Sequence, residues 1–152
     1  MRKDLTPGDL DIDPASGSPE QLYRWFLASV LFGRPIQQSV AAETYRTLLG
    51  AGLTSPSKFA GLKREPLRRL LDRGGYVRLD YQMADTLHSV MSAVVDEYDS
   101  VHHLVVSSAD AAELTERLTG FKGIGPVTAQ IFTAQIPAAL YGTAAEADAG
   151  DS

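Results

Sequence analysis

The sequence contains no cysteine. That excludes disulfides, zinc–thiolate sites, a thiol nucleophile and a cysteine-held iron–sulfur cluster. No apolar run approaches the roughly 18 residues that span a bilayer, because charges interrupt every hydrophobic stretch. Where a signal peptide would be greasy, Arg2 and Lys3 are followed by Asp4, Asp9, Asp11 and Asp13. These absences point to a cytoplasmic protein with no membrane partner. The three histidines, His88, His102 and His103, do not have the spacing of a metal set, so no metal and no other cofactor is expected.

What remains is a chain of 152 residues, 44% of them hydrophobic, enough for one domain with a real core. Its formal charge of -5 is unevenly placed. Residues 1–13 carry -2 and residues 142–152 carry -3, which leaves the body between them neutral. Within that body, Lys58, Lys63, Arg64, Arg68, Arg69, Arg73 and Arg78 face only Glu65 and Asp72, whereas residues 80–116 hold eight acids and no Lys or Arg. A basic block of this kind is one footprint of phosphate binding, and equally the mark of a solvated helix face balanced by acidic neighbours.

Residues 1–17, rich in Asp, Pro and Gly, read as a mobile leader, and residues 142–152, made of Ala, Gly and acids, as a disordered acidic tail. Between them residues 18–141 predict an all-α domain of six or seven short helices. Ser18-Pro19-Glu20-Gln21 opens the first, with Ser18 as cap, Pro19 at the first helical position and Gln21 completing a capping box. It runs to Phe32 and stops at Gly33. A second helix opens at Pro35 and ends at Gly50, a short turn follows Ser55-Pro56, and another helix starts at Pro66 and ends at Gly74-Gly75. A long helix over residues 80–98 places Tyr81, Ala84, His88, Met91, Val95 and Tyr98 on one face. Leu104-Val105-Val106 is the one plausible strand, without a partner. Ser107 or Ser108 caps a helix over residues 109–119, and Pro126 opens the last, to about residue 136.

The connection between those last two helices carries the information. In Leu118-Thr119-Gly120-Phe121-Lys122-Gly123-Ile124-Gly125-Pro126-Val127-Thr128-Ala129 a helix ends, two glycines flank one aliphatic residue, and a helix starts at once. Gly123 and Gly125 permit positive φ and the close approach of a large anion. Amides around Gly123, Gly125, Val127 and Thr128 have no helical partners, and the helix dipole favours negative charge there. Ile124 pins the turn to the core and Lys122 adds a positive charge. The plainer alternative is an ordinary tight turn between helices.

This stretch resembles the hairpin of the helix–hairpin–helix DNA glycosylases related to endonuclease III, with the motif over residues 109–136. The likeness is carried by Gly123-Ile124-Gly125-Pro126-Val127-Thr128-Ala129 and extends more loosely over residues 20–136. It implies a partner, duplex DNA, held through the phosphate backbone by Lys122, Gly123, Ile124, Gly125, Val127 and Thr128. It also implies contacts from Arg34, which lies near where the family inserts a side chain into DNA, while the basic block offers Arg68, Arg69 and Arg73. The departures bear on chemistry. Bifunctional members carry a Schiff-base lysine where this chain has Val127, so lysine-based lyase chemistry is excluded at that position. The family's catalytic aspartate falls at Ala145, leaving Glu146 and Asp148 as the nearby candidate carboxylates. The family's second helical half is not completed before Ser152, which reads as a shortened domain. The resemblance therefore implies a DNA-repair protein of base excision, a monofunctional glycosylase hydrolysing the N-glycosidic bond of a flipped base. The alternatives are a non-catalytic DNA-binding module and a helical scaffold that binds protein. Tyr23, Trp25, Tyr76 and Tyr81 are the aromatics able to stack on such a base, although the pattern places most of them, and His88, in the core.

Overall fold

The computed structural model describes residues 5–144. They are all-helical, with seven α-helices, four short 3-10 turns and no strand among them. The α-helices are α1 (Pro19–Phe32), α2 (Gln38–Gly50), α3 (Arg64–Arg73), α4 (Asp80–Tyr98), α5 (Val101–Val106), α6 (Ala111–Thr119) and α7 (Pro126–Thr133). The 3-10 turns are Pro7–Leu10, Pro14–Ser16, Pro56–Gly61 and Ala138–Leu140. No helix among the described residues is long and apolar enough to cross a membrane.

Helix α1 is apolar over most of its circumference and forms the centre of the bundle. Leu22, Trp25, Phe26, Leu27, Ala28, Val30 and Leu31 are all buried, and the helix packs against α2, α5 and α7. Ser18 caps it by accepting from the Gln21 N–H at 3.2 Å. Across the α1–α7 contact the Trp25 Nε1–H donates to the Phe132 carbonyl at 3.2 Å, and the rings of Phe26 and Phe132 meet edge to face at 5.6 Å. A second layer is built by α2, α3 and α4 with the turn Pro56–Gly61. There Gly74 lets α3 approach α2 closely, since a Cβ at this position would lie 2.5 Å from the Thr44 Cα.

Four local expectations are corrected. Residues 5–17 do not stand off as a leader. Leu10 and Ile12 enter the core, the Leu5 N–H donates to Gln38 Oε1 at 2.6 Å, and the Asp13 N–H donates to Gln21 Oε1 at 2.7 Å. Two well-placed aliphatics and two proline-initiated turns thus outweigh a polar composition, and Gln21 serves this contact rather than a capping box. Val101–Val106 is helical, not extended. Ser100 caps it by accepting from the His103 N–H at 3.0 Å, and Val101, Leu104, Val105 and Val106 are buried; a short apolar run reads alike for a buried strand and a buried helix. The buried stripe of α4 is Met83, Ala84, Leu87, Val90, Met91 and Val94, rotated from the expected face because α3 and the Pro56–Gly61 turn cover one flank and α5 another. Tyr81 is 45% exposed as a result. Finally, α6 is capped by Asp110, which accepts from the Glu113 N–H at 2.9 Å, rather than by Ser107 or Ser108. Both of those serines turn back to bond carbonyls of α5.

Candidate functional site

The α6–α7 connection is built on two apolar anchors. Phe121 and Ile124 are buried, and Phe121 meets Tyr98 edge to face at 6.0 Å. Between them Lys122 and Gly123 are pushed out to the surface. The Ile124 N–H closes the turn on the Phe121 carbonyl at 3.1 Å. Ile124 therefore anchors the turn and its amide is already used. Gly123 has φ +96°, and a Cβ there would stand 2.9 Å from Thr86 Cγ2 of α4. Gly125 differs from expectation: its φ of -100° and ψ of -177° are ordinary extended backbone, and a Cβ would meet nothing within 4 Å. It caps α7 without a side-chain hydrogen bond, and Pro126 occupies the first helical position. Among the described residues no acceptor is found for the amides of Gly123, Gly125, Val127 and Thr128. Those groups border a surface on which Gly125, Pro126 and Val127 are exposed, Val127 by 62%.

Two further elements hold the turn. At the end of α1, Gly33 lies so close to α7 that a Cβ would be 1.8 Å from Thr128 Oγ1. The Thr128 side chain is thus buried against α1, and only its main-chain amide belongs to the exposed face. After Gly33, Arg34 reaches across from the α1–α2 connection, donating from Nη2 to the Gly123 carbonyl at 2.9 Å and lying 3.4 Å from Thr86 Oγ1. The loose positional match of Arg34 becomes a direct contact with the turn. Tyr76 hydrogen-bonds the Leu31 carbonyl at 3.0 Å, and burial pushes its phenol well above the ordinary range. Tyr23 behaves likewise on the Leu53 carbonyl at 2.6 Å. With Trp25 they are core residues, whereas His88, expected in the core, is half-buried, with its Nε2 satisfied by the Leu62 carbonyl at 2.6 Å.

Beside the turn, Arg34, Gln82, Asp85, Thr86, Ser89, Lys122 and Gly123 line a groove of about 450 Å³. Asp85 is a carboxylate facing that groove that sequence reading did not single out; it lies on α4, far from the motif in the chain, and no local pattern marks it. Arg64 holds it in a fork, Nε to Oδ1 at 2.8 Å and Nη2 to Oδ2 at 3.0 Å, and the same guanidinium lies 4.7 Å from the Tyr81 ring centroid. A roomier recess of about 700 Å³ along α2, lined by Leu5, Gln37, Gln38, Ser39, Ala42, Glu43 and Arg46, is remote from this chemistry, and Arg46 there pairs with Glu43.

The basic block divides once folded. Arg68 is only 19% exposed and its guanidinium meets Glu65 at 2.7 Å, Asp72 at 2.6 Å and Asp80 at 3.0 Å, with the Tyr81 ring centroid 4.8 Å away. Its charge is spent inside the protein. The hydrogen bond from Arg68 holds the Glu65 carboxyl below the usual range. Asp72 is pushed up, first by its hydrogen bond with Asp80 and then by burial. Burial would raise Asp80 too, but the hydrogen bonds from Asp72 and Arg68 bring it down. The two neighbouring carboxyls therefore shift in opposite directions, Asp72 up and Asp80 down. Arg78 donates to the Pro35 carbonyl at 3.0 Å. Arg69 and Arg73, with Lys58 and Lys63, stay exposed and have no ion pair among the described residues. Glu146 and Asp148 lie outside the described residues.

No family model, curated protein or solved structure matches this chain. The functional reading therefore rests on the residues and their arrangement.

Proposed function

We propose that the protein binds duplex DNA by its phosphate backbone, as a helix–hairpin–helix protein of the endonuclease III-like repair type, in the cytoplasm. The observation that carries this reading is the set of unpartnered amides at Gly123, Gly125, Val127 and Thr128, placed on an exposed helix start with Lys122 beside them. Such donors have fixed directions and a favourable dipole for an anion. Main-chain donors read no base, so the binding is sequence-tolerant. Arg69 and Arg73, free of internal carboxylates, supply further phosphate contacts. Arg68 does not, because three acids already hold it.

A second reading, hydrolysis of an N-glycosidic bond, is favoured by one observation: the groove next to the turn contains a carboxylate, Asp85. Water would attack the anomeric carbon while the carboxylate stabilised the oxocarbenium-like charge. The Asp85 side chain is 57% exposed and bound by Arg64, which weakens it as such a group, so the binding module is the reading the geometry supports better. Lysine-based strand cleavage is not part of either, since Val127 has no amine. Fluorescence anisotropy of a labelled duplex titrated at several salt concentrations tests the binding. The expected result is affinity that falls linearly on log–log axes, with a slope of about -0.9 per phosphate neutralised. Salt-independent or absent binding refutes the proposal, and release of a free base from a damaged duplex would establish the second reading.

A further inference from the structure

The groove beside the turn holds two cations, Arg34 and Lys122, and among the described residues neither has an acidic partner. This sets them apart from Arg24, Arg64, Arg68 and Arg117, each paired with a carboxylate. The one carboxylate lining the groove, Asp85, is already matched by the fork of Arg64. The remaining wall offers the Gln82 amide and the hydroxyls of Thr86 and Ser89. Arg34 is also held in place. Its Nη2 is fixed on the Gly123 carbonyl at 2.9 Å, next to Thr86 Oγ1. A guanidinium has five N–H donors in a rigid fork, so the Nε and Nη1 donors are left for a ligand, already oriented.

We infer that this groove is a second anion site, which takes a phosphodiester of the DNA strand between Arg34 and Lys122, apart from the phosphate on the turn amides. It rests on the DNA-binding reading above and extends it. Arg34 is oriented by Gly123 and Thr86 and Lys122 is exposed on the same groove, so an anion between them meets two positive charges that have no acidic partner among the described residues. A volume of about 450 Å³ lies within the usual range for small-ligand sites, about 300–1,000 Å³, and admits a backbone phosphate with its sugar. Lys122 precedes Gly123 and so borders both sites, which places the groove's phosphate next to the turn's phosphate along one strand. Arg34 also holds the Gly123 carbonyl, so it acts both as ligand and as positioning residue.

The test is the salt dependence of duplex binding for the wild type, Arg34→Gln, Lys122→Gln and the double variant. A single phosphate that is held only when both cations are present predicts that each single variant lowers the magnitude of the slope by about 0.9 and that the double variant lowers it by about 0.9 as well. Lys122 is exposed and has no hydrogen bond or ion pair among the described residues, so Lys122→Gln should keep the wild-type thermal midpoint and remains interpretable if Arg34→Gln loosens the turn. Arg34→Lys should restore the charge and the slope but not the thermal midpoint. A double variant that loses about 1.8 overturns the shared site, as does an unchanged slope in both single variants. In the latter case salt-dependent binding by the wild type would still stand for the turn, whereas a wild type that ignores DNA altogether defeats the underlying reading. Titration with inorganic phosphate and with a nucleoside monophosphate separates the sources. Weak binding of both supports a strand phosphate, and affinity of the free nucleotide equal to that of the duplex overturns it.

Discussion

Replacing each of the two turn glycines by alanine separates fold from binding, because the two positions differ in the structure. At Gly123 the φ of +96° is left-handed and a Cβ would press on Thr86 Cγ2 at 2.9 Å. The conformation costs an L-residue about 1–2 kcal/mol, the crowding about 1–3 kcal/mol, and reduced freedom of the unfolded chain returns about 0.4–1 kcal/mol. Gly123→Ala should therefore lose about 1–4.6 kcal/mol, or about 2–18 °C of thermal midpoint at this chain length. At Gly125 the backbone is extended and a Cβ meets nothing within 4 Å. Alanine is the poorer N-cap by about 1 kcal/mol, which the unfolded-chain gain nearly cancels. Stability should stay within about 0.5 kcal/mol. If the turn amides bind a phosphate as proposed, the methyl occupies open space on their exposed side. Losing one charge-assisted hydrogen bond costs about 1.5–3 kcal/mol, so duplex affinity should fall about 10- to 100-fold. Thermal denaturation and duplex anisotropy on the two variants measure both quantities. Wild-type affinity in a folded Gly125→Ala would remove the turn from the interface.

Three other outcomes follow from the packing and the charges. Gly33→Ala should be strongly destabilising, because its Cβ falls 1.8 Å from Thr128 Oγ1; Thr128→Ala in the same chain should recover part of the thermal midpoint, and no recovery would mean the clash lies elsewhere. Arg68→Gln should lower the thermal midpoint and leave the salt slope of binding unchanged, whereas Arg69→Gln with Arg73→Gln should keep the midpoint and lessen the slope by about 0.9 for each phosphate no longer neutralised; the opposite pattern would show that Arg68 is the ligand. Asp72 has a raised folded pKa, so protonation favours the folded state and stability should rise as pH falls through that raised value towards the ordinary carboxylate range. Asp80 and Glu65 have lowered folded values, so their contribution is lost only at still lower pH, where stability should turn down. Asp72→Asn, which removes the titrating group, should flatten the rise, and an unchanged pH profile would refute the upward shift of Asp72.

Much of this was written in local sequence. Ser18 before Pro19, Gly33 after Phe32, Pro126 after Gly125 and the apolar run Leu22 to Leu31 determine helix ends and a central helix through interactions a few residues long. The same holds for the aliphatic Ile124 between two glycines, whose burial the motif predicted. What the tertiary structure alone decided concerns groups whose partners are distant in the chain. Whether Leu10 and Ile12 pack, which stripe of α4 is buried and that residues 101–106 are helical depend on which neighbours arrive, not on propensity. So does the fate of charge. In sequence Arg68 and Arg69 are indistinguishable, yet one helical position turns Arg68 towards Asp80 and Arg69 into solvent. Arg34 meets Gly123 across 89 residues, and Asp85 joins the groove only because α4 runs beneath the turn. Coulomb and hydrogen-bond energies depend on distances in space, and for side chains on separate helices those distances come into being only when the core closes.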